Sequence, residues 1–192
     1  MKLIQQITSQ RLVLNGLTTP SFDLAQAIYA IVDQSRNSLR KWLSWVDGTH
    51  RAEDTYNYLV NWCQSGWNNE TGFAYLITEQ TTAKILGCVD IHPVSWQNRT
   101  GEIGYWLADE AVGHGYMQEA VHALENEAFS AGINRLVIKN DTENLRSAHV
   151  AEHCGYILEG IMRQDIWSEY YQQLRDSNIW SKLKSDWDKQ TQ

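Results

Sequence analysis

The 192-residue chain is poor in proline and cysteine, and it has no hydrophobic run of about 18 residues. With only two prolines, a proline-rich linker or a collagen-like chain is excluded. The three cysteines, Cys63, Cys88 and Cys154, form no CxxC pair, which argues against a zinc ribbon or a thioredoxin-type site and favours a reducing compartment. Polar residues within positions 5–9 interrupt any signal-like segment. We therefore expect neither a signal peptide nor a membrane span, and we predict a cytoplasmic location.

An excess of basic residues is also missing. The chain has 16 Lys and Arg against 23 Asp and Glu, which gives a formal net charge of −7. This balance argues against a nucleic-acid binder, because such a protein needs a basic patch to contact phosphates. It is compatible with a cationic substrate, although it is equally ordinary for a cytosolic protein. Nine tryptophans and nine tyrosines suit a groove that is apolar but wet at its rim, while any single one is more often a core residue.

The order of hydrophobic patterns predicts a single mixed α/β domain. Strand patterns dominate the first half of the chain, and the second half follows a β-α-β-α-β order. The predicted strands cover residues 11–17, 73–78, 85–92, 101–107, 135–139, 156–162 and 177–183. The predicted helices cover residues 21–32, 52–62, 117–131 and 145–154.

The most informative segment is GEIGYWLADEAVGHGYMQE, residues 101–119. A strand runs into an acidic turn, then a glycine-containing loop, then the start of a long helix. Free backbone N–H groups and the positive end of the helix dipole meet there, which predicts an anion site for a phosphate or pyrophosphate. Gly113 and Gly115 allow the backbone to approach the anion closely. The segment is not a dinucleotide-binding fingerprint, because Gln118 stands where the third glycine is needed, and the chain has no P-loop.

One β-α unit later, Asn144 and Ser147 form an N-x-x-S string that opens a second helix. With this string and the glycine loop before it, residues 102–154 resemble the coenzyme-binding core of the GNAT acetyltransferases. The strings RLVLNGL, LRKWLSWV, GEIGYWL, GHGYMQEAV, NDTENLRSAHVAEHCGY and LEGIMRQ resemble the RimJ/RimL branch of that superfamily, and most closely its RimL-type ribosomal-protein-serine N-terminal acetyltransferases. The resemblance covers about residues 8–183. It implies one domain over residues 1–192, with a mixed, mostly antiparallel sheet flanked by helices.

The resemblance implies that acetyl-CoA is the acetyl donor and that no metal is needed. The family loop (Q/R)-x-x-G-x-(G/A), whose backbone amides hold the coenzyme pyrophosphate, falls on residues 112–117. Val112 replaces Gln or Arg, and Met117 replaces the small residue, as also occurs in the RimJ/RimL branch. Because no Lys or Arg lies between positions 99 and 135, we expect backbone dipoles and His114 to hold the pyrophosphate. His114 could equally be a plain exposed loop residue.

If His114 holds the pyrophosphate, the affinity for the coenzyme should increase below about pH 6.5, where a free imidazole becomes protonated. On the preceding strand, the family pattern implies that backbone groups of residues 106–108 hold the pantetheine arm. We expect a β-bulge there, which would expose main-chain groups and polarise the thioester carbonyl. The complete set of predicted coenzyme-binding residues is Trp106, Leu107, Ala108, Val112, Gly113, His114, Gly115, Tyr116, Met117, Gln118, Asn144 and Ser147.

Two side chains are predicted to carry the chemistry. An ammonium acceptor must lose a proton before it attacks a thioester. Glu102 matches the strand carboxylate that some GNAT enzymes use as a general base, with Glu70 and His92 as alternative bases. Ser147 matches the general acid of the RimJ/RimL branch, because Ala151 stands where many GNAT enzymes place a tyrosine. The alternatives are that Glu102 is a solvated strand residue and that Ser147 only bonds the helix backbone.

The resemblance predicts direct acetyl transfer to a primary amine, without a covalent enzyme intermediate. The favoured acceptor is the N-terminal α-amine of a protein, in particular a ribosomal protein. The alternatives are a small amine, such as a polyamine, an amino acid or an antibiotic, and a non-catalytic acyl-CoA-binding module. We expect neither direct nucleic-acid binding nor membrane binding, and the chain to be a monomer or a homodimer.

The acceptor amine is expected to enter through a groove formed by residues 37–46, a loop at residues 62–72 and a hairpin near residues 167–171. The predicted apolar walls of this groove are Trp42, Trp45 and Trp67. His149 and His153 share a helix face but lack the H-E-x-x-H spacing and an evident third ligand, so metal binding there is not expected.

Overall fold

A computed structural model describes residues 3–190, whose strands form one eight-stranded sheet. The strands are β1 (Gln6–Thr8), β2 (Leu12–Gly16), β3 (Phe73–Glu79), β4 (Ile85–Ser95), β5 (Thr100–Leu107), β6 (Arg135–Asp141), β7 (Ile157–Ser168) and β8 (Gln173–Leu183). Their order in the sheet is β1-β2-β3-β4-β5-β6-β8-β7. Every neighbouring pair is antiparallel except β5 and β6, which are parallel. The predicted mixed, mostly antiparallel fold is therefore confirmed.

Helices lie between the strands and after the last strand. They are α1 (Phe22–Gln34), α2 (Arg36–Leu39), α3 (Trp45–Gly48), α4 (Ala52–Tyr58), α5 (Ser65–Asn69), α6 (Tyr116–Ser130), α7 (Leu145–His153) and α8 (Lys184–Gln190). A π-helical turn (Leu59–Gln64) joins α4 to α5, and a 3₁₀ turn (Asp109–Ala111) follows β5. Within residues 3–190, no helix has the combination of length and apolar character that a bilayer crossing requires.

The predicted loop at residues 62–72 is wrong, because the chain stays helical through α5. Leu59, Cys63 and Trp67 recur at helical spacing and are all buried, so packing favours a continued helix over a loop. The helix ends at Glu70, which takes the left-handed conformation at φ 57°.

The sheet separates two hydrophobic clusters, as alternation along β3 illustrates. Phe73, Tyr75 and Ile77 pack in the cluster that contains α6 and α7, whereas Ala74 and Leu76 pack in the cluster that contains α1 and α4. Because successive strand residues point to opposite faces, both faces of the sheet are covered, and residues 73–76 of β3 are buried on both faces.

The parallel pair at the centre of the sheet opens into a wedge. β5 pairs with β6 only from Thr100 to Glu102, opposite Arg135 to Val137. Beyond Glu102 the strands diverge, so the β6-facing edge of residues 103–107 has no partner strand. The helices α6 and α7 follow these two strands and begin beside the opening. Such a point, where neighbouring connections diverge, is where open α/β sheets bind ligands.

The main chain is exposed in this wedge for a reason that differs from the predicted one. We expected a bulge within residues 106–108. The register irregularity between β4 and β5 lies instead between Ile91 and Val94 of β4. The free edge of β5 results from its divergence from β6, so the expected bulge position is wrong.

Candidate active site

The wedge between β5 and β6 contains a cavity of about 920 Å³. This volume lies near the upper end of the range for small-molecule and cofactor sites. Its walls come from the two strands, the loop before α6, the first turns of α7, residues 38–44 and residues 165–169. Most of the predicted site residues line it: Glu102, Trp106, Leu107, Val112, Gly113, Gly115, Tyr116, Met117, Gln118, Asn144 and Ser147.

Two predicted coenzyme residues, Ala108 and His114, lie outside the cavity wall. The N–H of Ala108 donates to the carbonyl of Leu86 at 2.8 Å, and its carbonyl accepts the N–H of Ala111 at 2.9 Å. Both backbone groups thus have partners within the protein, and a role for Ala108 in holding the pantetheine arm stays a prediction. The His114 side chain is exposed, with its ring centre 5.7 Å from that of Tyr116. A role for His114 in binding the coenzyme stays a prediction.

The loop before α6 presents backbone N–H groups beside the cavity. Gly113 and Gly115 have φ values of 88° and 74°, in the left-handed region that glycine adopts without a steric penalty. Within residues 3–190, no hydrogen bond uses the N–H groups of residues 113–118. Together with the positive end of the α6 dipole, these free donors suit an anion such as a pyrophosphate.

A cation from a distant part of the sequence lies against this loop. Arg11, just before β2, donates from Nη1 to the carbonyl of His114 at 3.0 Å and from Nε to Glu119 at 2.7 Å. Its guanidinium carbon is 4.7 Å from the centre of the Tyr116 ring. We expected only backbone dipoles and His114 to hold the pyrophosphate, so the sequence interpretation missed Arg11. Its signal was the string RLVLNGL, which begins with Arg11 and was part of the family resemblance.

Glu102, the predicted general base, stands where β5 and β6 separate. Its Oε2 lies 3.3 Å from Nζ of Lys139 on β6, and both side chains line the cavity. The Glu102 side chain retains 33% of its exposure, so it can still reach an incoming amine. The ion pair with Lys139 joins the two strands at the point where they separate.

A buried carboxylate and a histidine lie next to Glu102. Nδ1 of His92 is 2.5 Å from Oδ1 of Asp90, which is buried and whose pKa burial raises. Burial acts to lower the pKa of His92, but the hydrogen bond and charge of Asp90, together with the charge of Glu102, outweigh it, so the pKa of His92 is raised. The ring packs edge-on against Trp62 at 4.5 Å. His92 lies outside the cavity wall, as does Glu70, the other alternative base.

Ser147 lies in the first turn of α7 and faces a tyrosine that the sequence interpretation did not include. The side chain of Asn144 accepts the N–H of Ser147 at 3.3 Å, which confirms the predicted helix cap. The hydroxyl of Tyr105 lies 2.9 Å from Oγ of Ser147 and 3.2 Å from its carbonyl oxygen. Burial raises the pKa of the Tyr105 phenol. Alternation along GEIGYWL places Glu102 and Tyr105 on opposite faces of β5, so the strand pattern alone did not suggest that both reach the cavity.

The predicted acceptor groove is only partly formed as expected. Trp42 and Trp167 line the cavity, and Trp42 lies 6.2 Å from Tyr171 of the β7–β8 turn, measured between ring centres. Trp45 stays outside the wall, 6.2 Å from Trp106. Trp67 is wrong as a groove wall, because its side chain is buried in the core.

The region described, residues 3–190, contains no group of three or more His, Cys, Asp or Glu side chains that could hold a metal ion. His149 and His153 lie with their ring centres 6.4 Å apart, and Nδ1 of His153 is 2.8 Å from the carbonyl of His149.

Residues 11–157 match the model of the acetyltransferase (GNAT) domain family. The chain therefore belongs to the GNAT acetyltransferases, and it is an acetyl-CoA-dependent N-acetyltransferase. Its sequence resembles the ribosomal-protein-serine acetyltransferase of Escherichia coli (strain K12), with 28% identity over 138 residues, which cover 71% of this chain and 75% of that protein.

Two solved structures share the fold. The microcin C7 self-immunity acetyltransferase MccE, in complex with acetyl-CoA and AMP, is 26% identical, with a TM-score of 0.83 over 91% of this chain and 93% of that chain. RimL, a ribosomal L7/L12 alpha-N-protein acetyltransferase in complex with coenzyme A, is 24% identical, with a TM-score of 0.85 over 93% of this chain and 97% of that chain. The predicted branch and coenzyme agree with these relatives.

Proposed function

We propose that this N-acetyltransferase acetylates the N-terminal α-amine of a protein in the cytoplasm, with a ribosomal protein as the favoured acceptor. The observation that carries this proposal is the similarity to the ribosomal-protein-serine acetyltransferase over 71% of the chain. The open cavity beside β5 supports it, because an extended chain end can enter between residues 38–44 and residues 165–169.

The donor side of the cavity fits acetyl-CoA as a substrate. The free N–H groups of residues 113–118 would hold the pyrophosphate, and Arg11 would hold the loop in place by donating to the carbonyl of His114. The unpaired edge of β5 at Trp106 and Leu107 would receive the pantetheine arm. The thioester would then lie between Glu102 and Ser147, which line the same cavity.

The reaction needs one proton removed and one proton supplied. Glu102 takes a proton from the acceptor ammonium, because only the neutral amine can attack the thioester carbon. A C–N bond forms, the tetrahedral intermediate collapses, and the C–S bond breaks with its electron pair on sulfur. The sulfur takes the hydroxyl proton of Ser147, and the serine regains a proton from solvent. Holding amine and thioester together supplies much of the rate.

A small amine is the alternative acceptor class. MccE has a comparable TM-score and a role in microcin C7 self immunity, so the fold does not select a ribosomal acceptor by itself. Arg40 and Lys41 line the acceptor side together with Asp165 and Glu169, so charges of both signs face an incoming acceptor.

The test measures thiol release from acetyl-CoA with a panel of peptides and a parallel panel of small amines. We expect saturable turnover with peptides that begin with serine, and loss of turnover when the same peptide is Nα-blocked but keeps an internal lysine. Turnover with small amines alone would overturn the proposed acceptor. Acetyl-CoA binding without turnover on either panel would contradict it as well and would favour an acyl-CoA-binding module.

A further inference from the structure

We propose that Tyr105 is a positioning residue that orients the hydroxyl of Ser147 toward the sulfur of the coenzyme. The inference rests on the proposed function in one respect, namely that Ser147 serves the leaving thiolate. It adds a second hydroxyl to the site and explains how this chain supports a serine as the proton donor, since Ala151 stands where many GNAT enzymes have a tyrosine.

The contact joins two elements across the wedge. Tyr105 lies on the diverging part of β5, and Ser147 lies in the first turn of α7. The phenol oxygen is 2.9 Å from Oγ of Ser147 and 3.2 Å from its carbonyl oxygen, and both residues line the cavity. The backbone N–H of the same serine donates to Oδ1 of Asn144. Contacts to three atoms of Ser147 therefore define where its Oγ lies.

The direction of the hydrogen bond follows from counting protons. A phenol has one proton, and a serine hydroxyl has one proton and two acceptor positions. The carbonyl of Ser147 lies within α7, where helix geometry makes the N–H of Ala151 its hydrogen-bond donor. This carbonyl therefore does not depend on the phenol for a donor. When the phenol donates to Oγ instead, at the shorter of the two distances, the serine proton is free to point into the cavity.

The chemistry of the phenol supports this direction. Burial raises the pKa of Tyr105, so the phenol keeps its proton wherever the enzyme works. As the C–S bond breaks, the sulfur takes the proton of Ser147, and Tyr105 keeps its own. A donor behind Oγ polarises the serine hydroxyl and strengthens its bond to the developing thiolate.

The experiment is a double-mutant cycle of Tyr105→Phe and Ser147→Ala, run with whichever amine the wild-type enzyme acetylates fastest. This choice keeps the cycle informative even when the peptide acceptor of the proposed function is wrong. We expect Tyr105→Phe to lower kcat about tenfold while the dissociation constant of acetyl-CoA changes less than twofold. We expect the double variant to be no slower than Ser147→Ala alone, because the phenol acts through the serine.

Tyr75→Phe is the control, because it also removes a tyrosine hydroxyl that makes a hydrogen bond, here to the carbonyl of Ile4 at 2.8 Å, away from the cavity. We expect it to lower the melting temperature without changing kcat. Multiplicative effects in the double variant would overturn the inference. Full activity of Tyr105→Phe or of Ser147→Ala, or a loss of acetyl-CoA affinity equal to the loss of kcat/KM in Tyr105→Phe, would also overturn it.

Discussion

At the scale of single residues, Arg11 shows how a charge missing from a loop is supplied by a distant side chain. The loop itself has Val112 where the family pattern has Gln or Arg. The guanidinium of Arg11 donates to the carbonyl of His114 and to Oε2 of Glu119, while Oε1 of Glu119 accepts the backbone N–H of Arg11. Burial acts to raise the pKa of Glu119, but the bonds from Arg11 and Ser9 outweigh it, so the pKa is lowered and the pair stays ionised. The arginine thus both shapes the loop and adds positive charge near it.

We expect Arg11→Gln to raise the dissociation constant of acetyl-CoA about tenfold, in line with a charge-assisted hydrogen bond of about 1.5 kcal/mol. Isothermal titration calorimetry measures this directly. Arg51→Gln is the matched control, because Arg51 is exposed and pairs with Asp54 in the first turn of another helix, at 3.7 Å. Equal affinities for the two variants would contradict a role for Arg11 in the loop.

The Asp90–His92 pair provides a second prediction at this scale. Asp90 raises the pKa of His92, so Asp90→Asn should lower it, and NMR of the imidazole protons can follow the change. Because Glu102 is the proposed base, the pH profile of kcat/KM should keep its position in Asp90→Asn, whereas Glu102→Gln should lower kcat/KM about 100-fold. An acid limb that moves to lower pH in Asp90→Asn would instead identify His92 as the base.

At the scale of elements, the divergence of β5 from β6 is what creates the site. The two strands share only three residue pairs, and the helices that follow them start beside the gap. The first turn of each of these two helices has N–H groups without a partner in the helix, and the two helices begin in different ways. Asn144 caps α7 with its side chain, whereas Gly115 starts α6 in the left-handed conformation and leaves the N–H groups of the loop for a ligand.

We expect Gly115→Ala to weaken acetyl-CoA binding at least tenfold. A Cβ at a φ of 74° costs about 1–2 kcal/mol, and it would also lie 3.3 Å from Oε1 of Gln118. The loop would have to change its conformation, and its N–H groups would turn away. Gly48→Ala is the control, because a Cβ there meets no atom within 4 Å. A Gly115→Ala enzyme with wild-type affinity would show that the loop backbone does not hold the coenzyme.

At the scale of the whole molecule, the cavity joins parts of the chain that lie far apart in the sequence. Residues 38–44, the strand β5, the loop before α6, the start of α7 and the end of β7 all contribute to its wall. Trp42, which lines the cavity, lies 6.2 Å from Tyr171 between ring centres, and the guanidinium carbon of Arg40 lies 5.6 Å from the ring centre of Tyr170. A ligand in this position therefore contacts both halves of the sheet.

Acetyl-CoA at about 100 times its dissociation constant should stabilise the fold by about 2.7 kcal/mol. For a domain of this size we expect the melting temperature to rise by roughly 5–10 °C, which differential scanning fluorimetry measures. Pantetheine, which lacks the pyrophosphate, should give a much smaller rise at equal concentration. Equal shifts for both compounds would contradict the assignment of the pyrophosphate to the loop before α6.

Local patterns in the sequence were enough for the mixed sheet, the long helix α6, the glycine loop and the cap at Asn144. Each of these depends on neighbours within a few residues, such as the helical spacing of Ala120, Val121 and Leu124 or the alternation in β3. Family strings added the coenzyme and the reaction class, because the family pattern for the pyrophosphate loop is continuous in sequence.

Only the tertiary structure decided which side chains meet. Arg11 reaches a loop more than 100 residues away, and Tyr105 reaches Ser147 across the wedge. Trp67 is buried and Ala108 has its backbone groups occupied, although both had been expected at the site. The physical reason is that periodicity records which face of an element is apolar, whereas the relative placement of two elements depends on how all of them pack. Here that placement is the divergence of β5 from β6, which no local pattern in either strand specifies.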